Sequence, residues 1–242
     1  MKKNETITLR IKDLCKSYGT IVASDNINLT AQKGDIIALI GANGAGKSTL
    51  MNMIAGFLSP DAGKIEILGR DIAKYPLFAK ENIGFLPEGS PLYADLTVKR
   101  FMFYMAELRG INKQKVLDIA KVTKIDNVWQ QKIETLSKGY QRRVGFAQSI
   151  LSNPPILLLD EPTDGLDPNQ KDYIRGMIKN MTKDKTILIS THLLEEAEMV
   201  CNRIVLIHKA KILADATLPE LLRLTDCKNI AEAFRKLTME EK

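Results

Sequence analysis

The stretch that decides the fold is Gly41-Ala42-Asn43-Gly44-Ala45-Gly46-Lys47-Ser48-Thr49. It follows an apolar run at 36–40, which is typical of a buried strand, and leads into 50–55, which is typical of a helix. Glycines let a backbone wrap closely around an anion with its N–H groups pointing inward, and the start of a helix adds a positive dipole. The stretch therefore predicts a phosphate-binding loop, in which Lys47 reaches the β- and γ-phosphates and the Ser48 hydroxyl ligates Mg²⁺. A tight glycine turn without a ligand is the alternative.

The composition is that of an ordinary globular protein. Of 242 residues, 45% are apolar and 26% are charged, and the formal net charge is +6. Phosphate ligands, an acidic partner or an anionic membrane face would all suit this mild excess. The Lys and Arg residues are scattered, however, so we interpret them as a solvated surface. The length fits one large α/β domain, with or without an inserted subdomain.

The sequence predicts neither a membrane span nor a targeting segment. Apolar runs stay well below the roughly 18 residues of a membrane span, and the first six residues lack the apolar region of a signal peptide. The three cysteines, Cys15, Cys201 and Cys227, show neither metal-ligand spacing nor a disulfide framework. We therefore expect a cytosolic protein in a reducing compartment, held at any membrane by a partner chain.

Strand and helix patterns divide the rest of the chain. Period-two or all-apolar runs predict strands at 7–11, 22–31, 36–40, 64–69, 83–86, 156–159, 186–189 and 204–207. Helical spacing predicts helices at 97–109, 112–121, 138–151, 169–181 and 193–201, and in the tail. We expect a turn at 13–19 and a return within 22–31. All-apolar strands that alternate with helices predict a largely parallel sheet, which binds ligands at the carboxyl ends of its strands. The strandless stretch 92–152 predicts a helical insertion.

Two adjacent carboxylates follow the strand pattern at 156–159. Asp160 at such a strand end can hold Mg²⁺, directly or through water. Glu161 beside it can polarise the attacking water as a general base. The alternative is a strand end with two solvated acids before Pro162.

A second candidate phosphate site starts at Ser137. Residues 136–143 read LSKGYQRR and precede an apolar helical pattern. Ser137 is a favourable N-cap residue and needs no further role. It can also form, with the backbone of Gly139 and the helix N-terminus, a second cradle for phosphate.

Together these motifs resemble those of the ATP-binding subunits of ABC transporters. In the family's order, the Walker A loop matches 41–48, the signature 136–139, Walker B 156–160, the D-loop 164–167 and the switch-histidine segment 190–192. The resemblance covers residues 7–215, nearly the whole chain. It implies an α/β fold: a P-loop NTPase core with a mostly parallel sheet, an N-terminal antiparallel β subdomain and an inserted helical subdomain. A single ABC ATPase domain would span 1–242, with an ATP-binding core at 1–91 and 153–216, the helical subdomain at 92–152 and a short helical tail at 217–242.

The resemblance also implies roles for individual side chains. Glu161, His192 and Lys47 are the implied catalytic residues: Glu161 orients water, His192 holds the γ-phosphate and Lys47 neutralises the phosphates. His192 follows a strand end directly, level with the two carboxylates, although a lone histidine is more often structural.

ATP is the implied cofactor, together with Mg²⁺ at Ser48, Asp160 and Glu88. The residues implied in nucleotide contacts are Tyr18, Gly41, Ala42, Asn43, Gly44, Ala45, Gly46, Lys47, Ser48, Thr49, Ser137, Gly139 and Asp167. Tyr18 would stack on adenine, although aromatic residues are common in turns. Asp167 fits a helix N-cap as well.

Two positions depart from the family's pattern. Glu88 stands where the Q-loop usually has glutamine. Its carboxylate still offers an oxygen to Mg²⁺ or water, but it adds negative charge near the phosphates. Tyr140 ends the signature where glutamine is commoner. With the sequences around them, both variants resemble the exporter subclass, which includes drug, antibiotic and gliding-motility systems.

The implied function is that of an ATP-binding and ATP-hydrolysing subunit, which powers transport across a membrane through separate transmembrane subunits. Two such subunits, identical or similar, would form a head-to-tail dimer around ATP. Each site would take Walker A, Walker B and His192 from one chain and the Ser137 signature from the other. Integral membrane permeases are the expected partners and nucleic acid is not. The expected location is the cytoplasmic face of the inner (plasma) membrane.

Two other classes stay open from the sequence. A soluble ABC ATPase that acts on nucleic acid or ribosomes often carries tandem ATPase domains or a long coiled-coil insertion, and this sequence shows neither pattern. A small-molecule kinase or GTPase could use the same loop. The signature, Glu161 and His192 argue against that class, and the sequence has no Asn-Lys-x-Asp guanine motif.

Overall fold

A computed structural model describes residues 6–239 of the chain. Residues 1–5, at the start without a signal-peptide pattern, and 240–242, at the end of the predicted tail, lie outside the described residues. The strands are β1 Ile7–Tyr18, β2 Ile21–Gln32, β3 Ile36–Ile40, β4 Ala62–Ile67, β5 Arg70–Asp71, β6 Ile83–Leu86, β7 Ile156–Asp160, β8 Thr186–Thr191, β9 Arg203–His208 and β10 Lys211–Ala216. The α helices are α1 Lys47–Ile54, α2 Pro76–Asn82, α3 Val98–Glu107, α4 Lys113–Val122, α5 Lys138–Ile150, α6 Pro168–Met181, α7 Leu194–Val200, α8 Leu218–Thr225 and α9 Ile230–Met239. Within 6–239, no helix has the length and apolarity to cross a bilayer.

Six strands form the central sheet, in the order β10-β9-β3-β8-β7-β6. The five strands from β9 to β6 run parallel, and β10 pairs antiparallel with β9 at one edge. Every residue of β3, β7 and β8 is buried, as expected when both faces of a parallel sheet are covered. The predicted largely parallel sheet is therefore present, and its burial accounts for the all-apolar runs.

Neighbouring parallel strands end together at one edge of this sheet. Across β3 and β8, Ile40 pairs with Thr191. Across β7 and β8, Asp160 pairs with Ser190, and β6 lies in register beside β7. The segments that follow β3, β6, β7 and β8 therefore begin at the same edge, where ligands bind in open α/β sheets.

The second sheet is antiparallel and has the order β2-β1-β4-β5. One hydrophobic cluster joins apolar residues of β1, β2 and β4 to α1 and to the central sheet. The buried side chains of α1 in this cluster are Leu50, Met51, Met53 and Ile54. Helix α1 is therefore packed between the two sheets, and the predicted N-terminal antiparallel β unit is present.

Between β6 and β7, the described chain contains helices and no strand. Helices α3, α4 and α5 share a hydrophobic cluster that includes Phe101, Val116 and Val144. Helix α5 also packs Phe146 against apolar residues of β7 and α6. Helix α5 thus belongs to the core of the helical stretch and to that of the central sheet. The proposed boundaries of a helical subdomain at 92–152 stay a prediction.

The structure differs from the predicted elements in several places. Strand β1 continues to Tyr18 instead of turning at 13–19; Asp13 has a left-handed backbone (φ 49°), and the register shifts beside it, which interrupts the apolar alternation. Strand β2 is a single strand without a return. Strands β5 and β10 and helix α2 were not predicted. Strand β5 has only two residues, β10 has no fully buried residue and α2 buries only Ala79, so their apolar patterns are weak.

Candidate functional site

The glycine loop connects β3 to α1, which begins at Lys47. Gly44 and Gly46 have φ angles of 81° and 105°, in the left-handed region that glycine adopts without strain. A Cβ atom on Gly46 would also collide with the carbonyl oxygen of Ala23. The loop therefore requires glycine at position 46. The first N–H groups of α1, which have no partner within the helix, follow directly and are suited to an anion.

The Lys47 ammonium is folded back into this loop. It donates to the carbonyl oxygens of Gly41 at 2.7 Å and Ala42 at 3.2 Å. Burial lowers the pKa of Lys47, and the negative charge of nearby carboxylates, Glu161 first, partly offsets that shift. Both acceptors are neutral carbonyl oxygens. An anion bound in the loop would give the Lys47 ammonium a partner of opposite charge at hydrogen-bonding distance.

The two carboxylates after β7 have different surroundings. Asp160 is 2% exposed, and the Ser190 hydroxyl on β8 donates to its Oδ1. Glu161 reaches the surface cleft, and its Oε1 lies 2.9 Å from Nδ1 of His192. The backbone of Glu161 is left-handed, with φ of 50°, which turns the chain away from the strand direction. Asp160 is thus held inside the sheet edge, whereas Glu161 faces His192.

The Glu161 carboxyl has a perturbed acidity. Burial raises the pKa of Glu161, while the hydrogen bond and charge of His192 and the charge of Lys47 lower it in part. A carboxylate with raised proton affinity beside an open cleft is suited to accept a proton from water.

A cleft of about 510 Å³ opens over this edge of the sheet. The residues that line it are Tyr18, Ile21, Val22, Ala23, Asn43, Gly44, Gly46, Lys47, Ser48, Thr49, Glu88, Glu161, Asp164 and His192. One part is apolar and solvent-facing: Tyr18, Ile21 and Val22 are 50%, 69% and 52% exposed. An exposed aromatic ring beside two aliphatic side chains suits the stacking of a flat base.

Four of the sequence-predicted residues near this cleft do not line it. Gly41, Ala42 and Ala45 belong to the loop but lie outside the lining, and Asp160 is buried beneath the surface. The loop therefore offers Asn43, Gly44 and residues 46–49 to a ligand.

Three sequence-predicted residues lie elsewhere in the described chain. Ser137 is the N-cap of α5 and accepts from the N–H of Tyr140 at 3.4 Å. Asp167 is the N-cap of α6 and accepts from the N–H of Gln170 at 2.9 Å. Gly139 lies against the side chain of Gln170. Among the described residues, none of these three lines the cleft of its own chain.

Sequence reasoning missed Arg142. This residue of α5 is 6% exposed, and its guanidinium donates to the carbonyl oxygen of Pro87 at 2.9 Å and to Ser90 Oγ at 2.8 Å. It also donates to the backbone at the end of β7. A signal was available, because Arg142 precedes Phe146 by four residues and so shares its buried helix face. Arginine is rarely buried there unless it is paired.

Sequence reasoning also missed Glu196, on α7. This side chain is fully buried, and its Oε1 accepts from Thr163 Oγ1 at 2.9 Å. The contact fixes the segment that follows Glu161 against the helix that follows His192. No local pattern marked it, because Glu196 stands in a run of glutamates that resembles a solvated helix face.

Comparison with known proteins agrees with this geometry. A family model described as ABC transporter matches residues 24–164. Bacitracin transport ATP-binding protein BcrA of Bacillus licheniformis is 33% identical over 210 residues, which cover 86% of this chain and 69% of that protein. Nod factor export ATP-binding protein I of Rhizobium etli is 31% identical over 215 residues, which cover 87% of this chain and 68% of that protein.

A solved structure leads to the same result. The structure described as that of the ATP binding subunit of an ABC transporter superposes with a TM-score of 0.89 at 28% identity. The match covers 96% of this chain and 99% of that one. The family resemblance and the fold expected from it are thereby confirmed. The chain belongs to the ABC transporter family and carries the ATP-binding domain of that family.

Proposed function

We propose that this ABC ATPase closes around ATP as a dimer, with a second copy or a similar subunit, and that hydrolysis drives a separate membrane permease. The composition of the cleft carries this proposal. It brings Lys47, Glu161 and His192 together with the glycine loop, but Ser137 and Gly139, both described, do not border it. A second chain that supplied its α5 N-terminus would complete the phosphate site.

ATP fits the cleft at both ends. Tyr18, with Ile21 and Val22, offers an apolar surface for adenine. Lys47 and the N–H groups at the start of α1 offer charge and hydrogen bonds to the phosphates. The base would then lie against β1 and β2, and the phosphates would lie at the end of β3.

Mg²⁺ would neutralise phosphate charge when bound. Ser48 and Glu88 line the cleft and offer the hydroxyl and carboxylate oxygens that this ion prefers, whereas the buried Asp160 would act through a water molecule. The Ser190 hydroxyl, which donates to Asp160, would keep that carboxylate oriented. This set of donors fits the ion.

Glu161 is the proposed general base. It lines the cleft, its pKa is raised by burial, and His192 contacts its Oε1. It would take a proton from the water that attacks the γ-phosphate, while His192 would hold that phosphate. In phosphoryl transfer, positioning and charge stabilisation supply most of the catalysis.

Replacing Glu161 by glutamine should abolish turnover and leave ATP binding intact, because the amide keeps the shape of the side chain but cannot accept the proton. We expect phosphate release at saturating ATP to fall by about 10²- to 10⁴-fold. Equilibrium binding of ATP should be unchanged. Hydrolysis by Glu161→Gln at the parent rate would contradict the assignment of the base.

The pH profile should report the same carboxylate. Turnover requires ionised Glu161, so the rate should rise as pH rises through its pKa. His192 lowers that pKa; removing it therefore raises the pKa, and the acid limb of kcat/KM in His192→Ala should move to higher pH. His208→Ala, which changes the other histidine at the end of β9, should leave the limb in place. An unmoved limb in His192→Ala would mean that another group limits the reaction.

The start of α5 is accessible to a second chain. Ser137 and Lys138 are exposed, whereas Gly139, in the first turn, is buried against Gln170. A serine hydroxyl, a close backbone and a helix N-terminus together suit phosphate. The symmetric pairing of two chains would place each of these starts over the cleft of the other.

Ser137→Asp tests this pairing. Aspartate keeps an N-cap but places negative charge where the partner's ATP would lie. In the Glu161→Gln background, where ATP is not consumed, light scattering should show that the ATP-dependent dimer is lost, while the monomer still binds ATP. Ser137→Asn keeps the cap without the charge and should retain the dimer. Equal dimerisation of Ser137→Asp and its parent would exclude a composite site.

An apolar groove of about 700 Å³ offers the permease a docking surface. Its apolar lining includes Phe57, Phe85, Pro91, Tyr93, Phe101, Met105 and Leu108. Phe57 is 73% exposed and Leu108 is 63% exposed, and exposed apolar patches of this kind mark protein contacts. Lys80 and Arg109 also line the groove. A short amphipathic segment with an acidic residue would therefore be complementary.

Phe57→Asp should weaken this docking, because it places a charge in the apolar groove. The measurement is the fraction of the subunit that sediments with membranes containing its permease. Leu224→Asp is the matched control: Leu224 is 74% exposed on α8, outside the groove lining, so that variant should stay bound. Thermal unfolding of both variants checks that each is folded. Equal retention of the two variants would contradict the docking surface.

We propose that the ATPase powers transport across a membrane, in the direction of export. The two relatives named above are described as a transport subunit and an export subunit. That similarity supports the proposed location at the cytoplasmic face of the inner (plasma) membrane. Residues 92–152 would move as a helical unit against the ATP-binding core, 1–91 and 153–216, with 217–242 as a tail. Co-purification with nucleic acid instead of a membrane protein would favour a non-transport ABC ATPase.

A further inference from the structure

Arg142 joins two loops that border the cleft. Its Nη1 donates to Pro87 and Ser90, which lie directly before and after Glu88 and Gly89. Its Nη2 donates to the carbonyl oxygens of Asp160 and Glu161. Its Nε lies 3.4 Å from the carbonyl oxygen of Pro162. A single buried guanidinium is thus shared between the loop after β6 and the loop after β7.

Both of these loops contain a residue in a strained backbone conformation. Glu161 has φ of 50° and Ser90 has φ of 44°, in the left-handed region that disfavours residues with a Cβ atom. Such conformations persist only where the surroundings hold them in place. Arg142 contacts the carbonyl oxygen of Glu161 and the hydroxyl of Ser90, so it contacts both strained residues.

The geometry of arginine matters here more than its charge. All but one of its partners are backbone carbonyl oxygens, which are neutral, and the other is a hydroxyl. A planar fork of donors serves several such acceptors at once, whereas the ammonium of lysine is a single point on a flexible stem. None of these partners lies in the glycine loop or in the apolar wall near Tyr18.

We propose that Arg142 is a positioning residue for hydrolysis: it holds the backbone of Glu161 so that the carboxylate faces the cleft, and it ties that position to the loop at 87–90. This inference rests on the proposed role of Glu161 as the general base. Loss of Arg142 lowers kcat and leaves the binding of metal-free ADP intact, because the glycine loop and the apolar wall near Tyr18 are held by other segments, whereas the proposed Mg²⁺ donors Glu88 and Asp160 lie in or beside the loops that Arg142 contacts.

The experiment compares Arg142→Gln and Arg142→Lys with the parent. The glutamine variant removes most of the fork, and the lysine variant keeps the charge without the fork. Arg175→Gln is the matched control, since Arg175 is also buried, at 9% exposed, and contacts Asp172 on α6 and Met199 on α7. Steady-state kcat and KM for ATP, calorimetric binding of ADP in the absence of Mg²⁺, and thermal unfolding are measured for each protein.

We expect kcat to fall by about 10- to 100-fold in both Arg142 variants, the size of effect produced by misplacing a reacting group by about 1 Å. ADP affinity should stay at the parent value, and Arg175→Gln should keep the parent kcat. Parent kcat in Arg142→Lys would overturn the proposal, because charge alone would then suffice. A loss of ADP binding and kcat in the same proportion, in the Arg142 variants and in Arg175→Gln alike, would overturn it by showing general destabilisation.

The lysine variant keeps the test decisive if the glutamine variant does not fold, because lysine retains a buried cation of similar length. The Glu161→Gln variant distinguishes a failure of the positioning role of Arg142 from a failure of the proposed general-base role of Glu161. If Glu161→Gln is inactive and Arg142→Lys has the parent kcat, only the positioning role fails. If Glu161→Gln turns over at the parent rate, the assignment of the base fails first.

Discussion

Backbone pairing within the parallel sheet is the constraint on which the candidate site depends. Strands β3, β8, β7 and β6 are held in register by amide hydrogen bonds, and the complete burial of β3, β7 and β8 leaves no water to replace a lost bond there. A slip of one residue would turn every side chain of a strand to the opposite face. The relative positions of Lys47, Glu161 and His192 are therefore set by the register of the strands that precede them, and less by contacts among the three side chains.

This edge of the sheet concentrates charge where water is scarce. Burial lowers the pKa of Lys47 and raises that of Glu161, so the same desolvation favours the neutral form of each group. The consequences for a bound nucleotide differ. A phosphate beside Lys47 supplies negative charge and so favours the protonated ammonium of Lys47. The Glu161 carboxylate, with its raised pKa, can still accept a proton from water. One group is thus suited to binding and the other to proton transfer.

Much of the fold was predictable at positions where burial or backbone conformation limits the choice of residue. The runs 36–40 and 156–159 are apolar because both faces of their strands are covered. Position 46 is glycine because a Cβ atom there would collide with the carbonyl oxygen of Ala23. The features that were missed depend on distant contacts. Arg142 bonds to groups 18 and 55 positions away in the chain. Its place on an apolar helix face can be read from the sequence, but the carbonyl oxygens that it meets cannot.

The position of Arg142 on α5 has a consequence for how two clefts would communicate. Ser137 caps this helix and Arg142 follows five residues later, about 7.5 Å along the axis. In the proposed dimer, the first turn of α5 would face the partner's ATP, and the next turn would hold the base of its own chain. The first two turns of α5 in each chain would then connect the two nucleotide sites, and ATP binding at one site would alter the position of Glu161 in the other. Through this helix, the occupancy of one nucleotide site would affect hydrolysis at the other, so the two sites of the proposed dimer would be coupled.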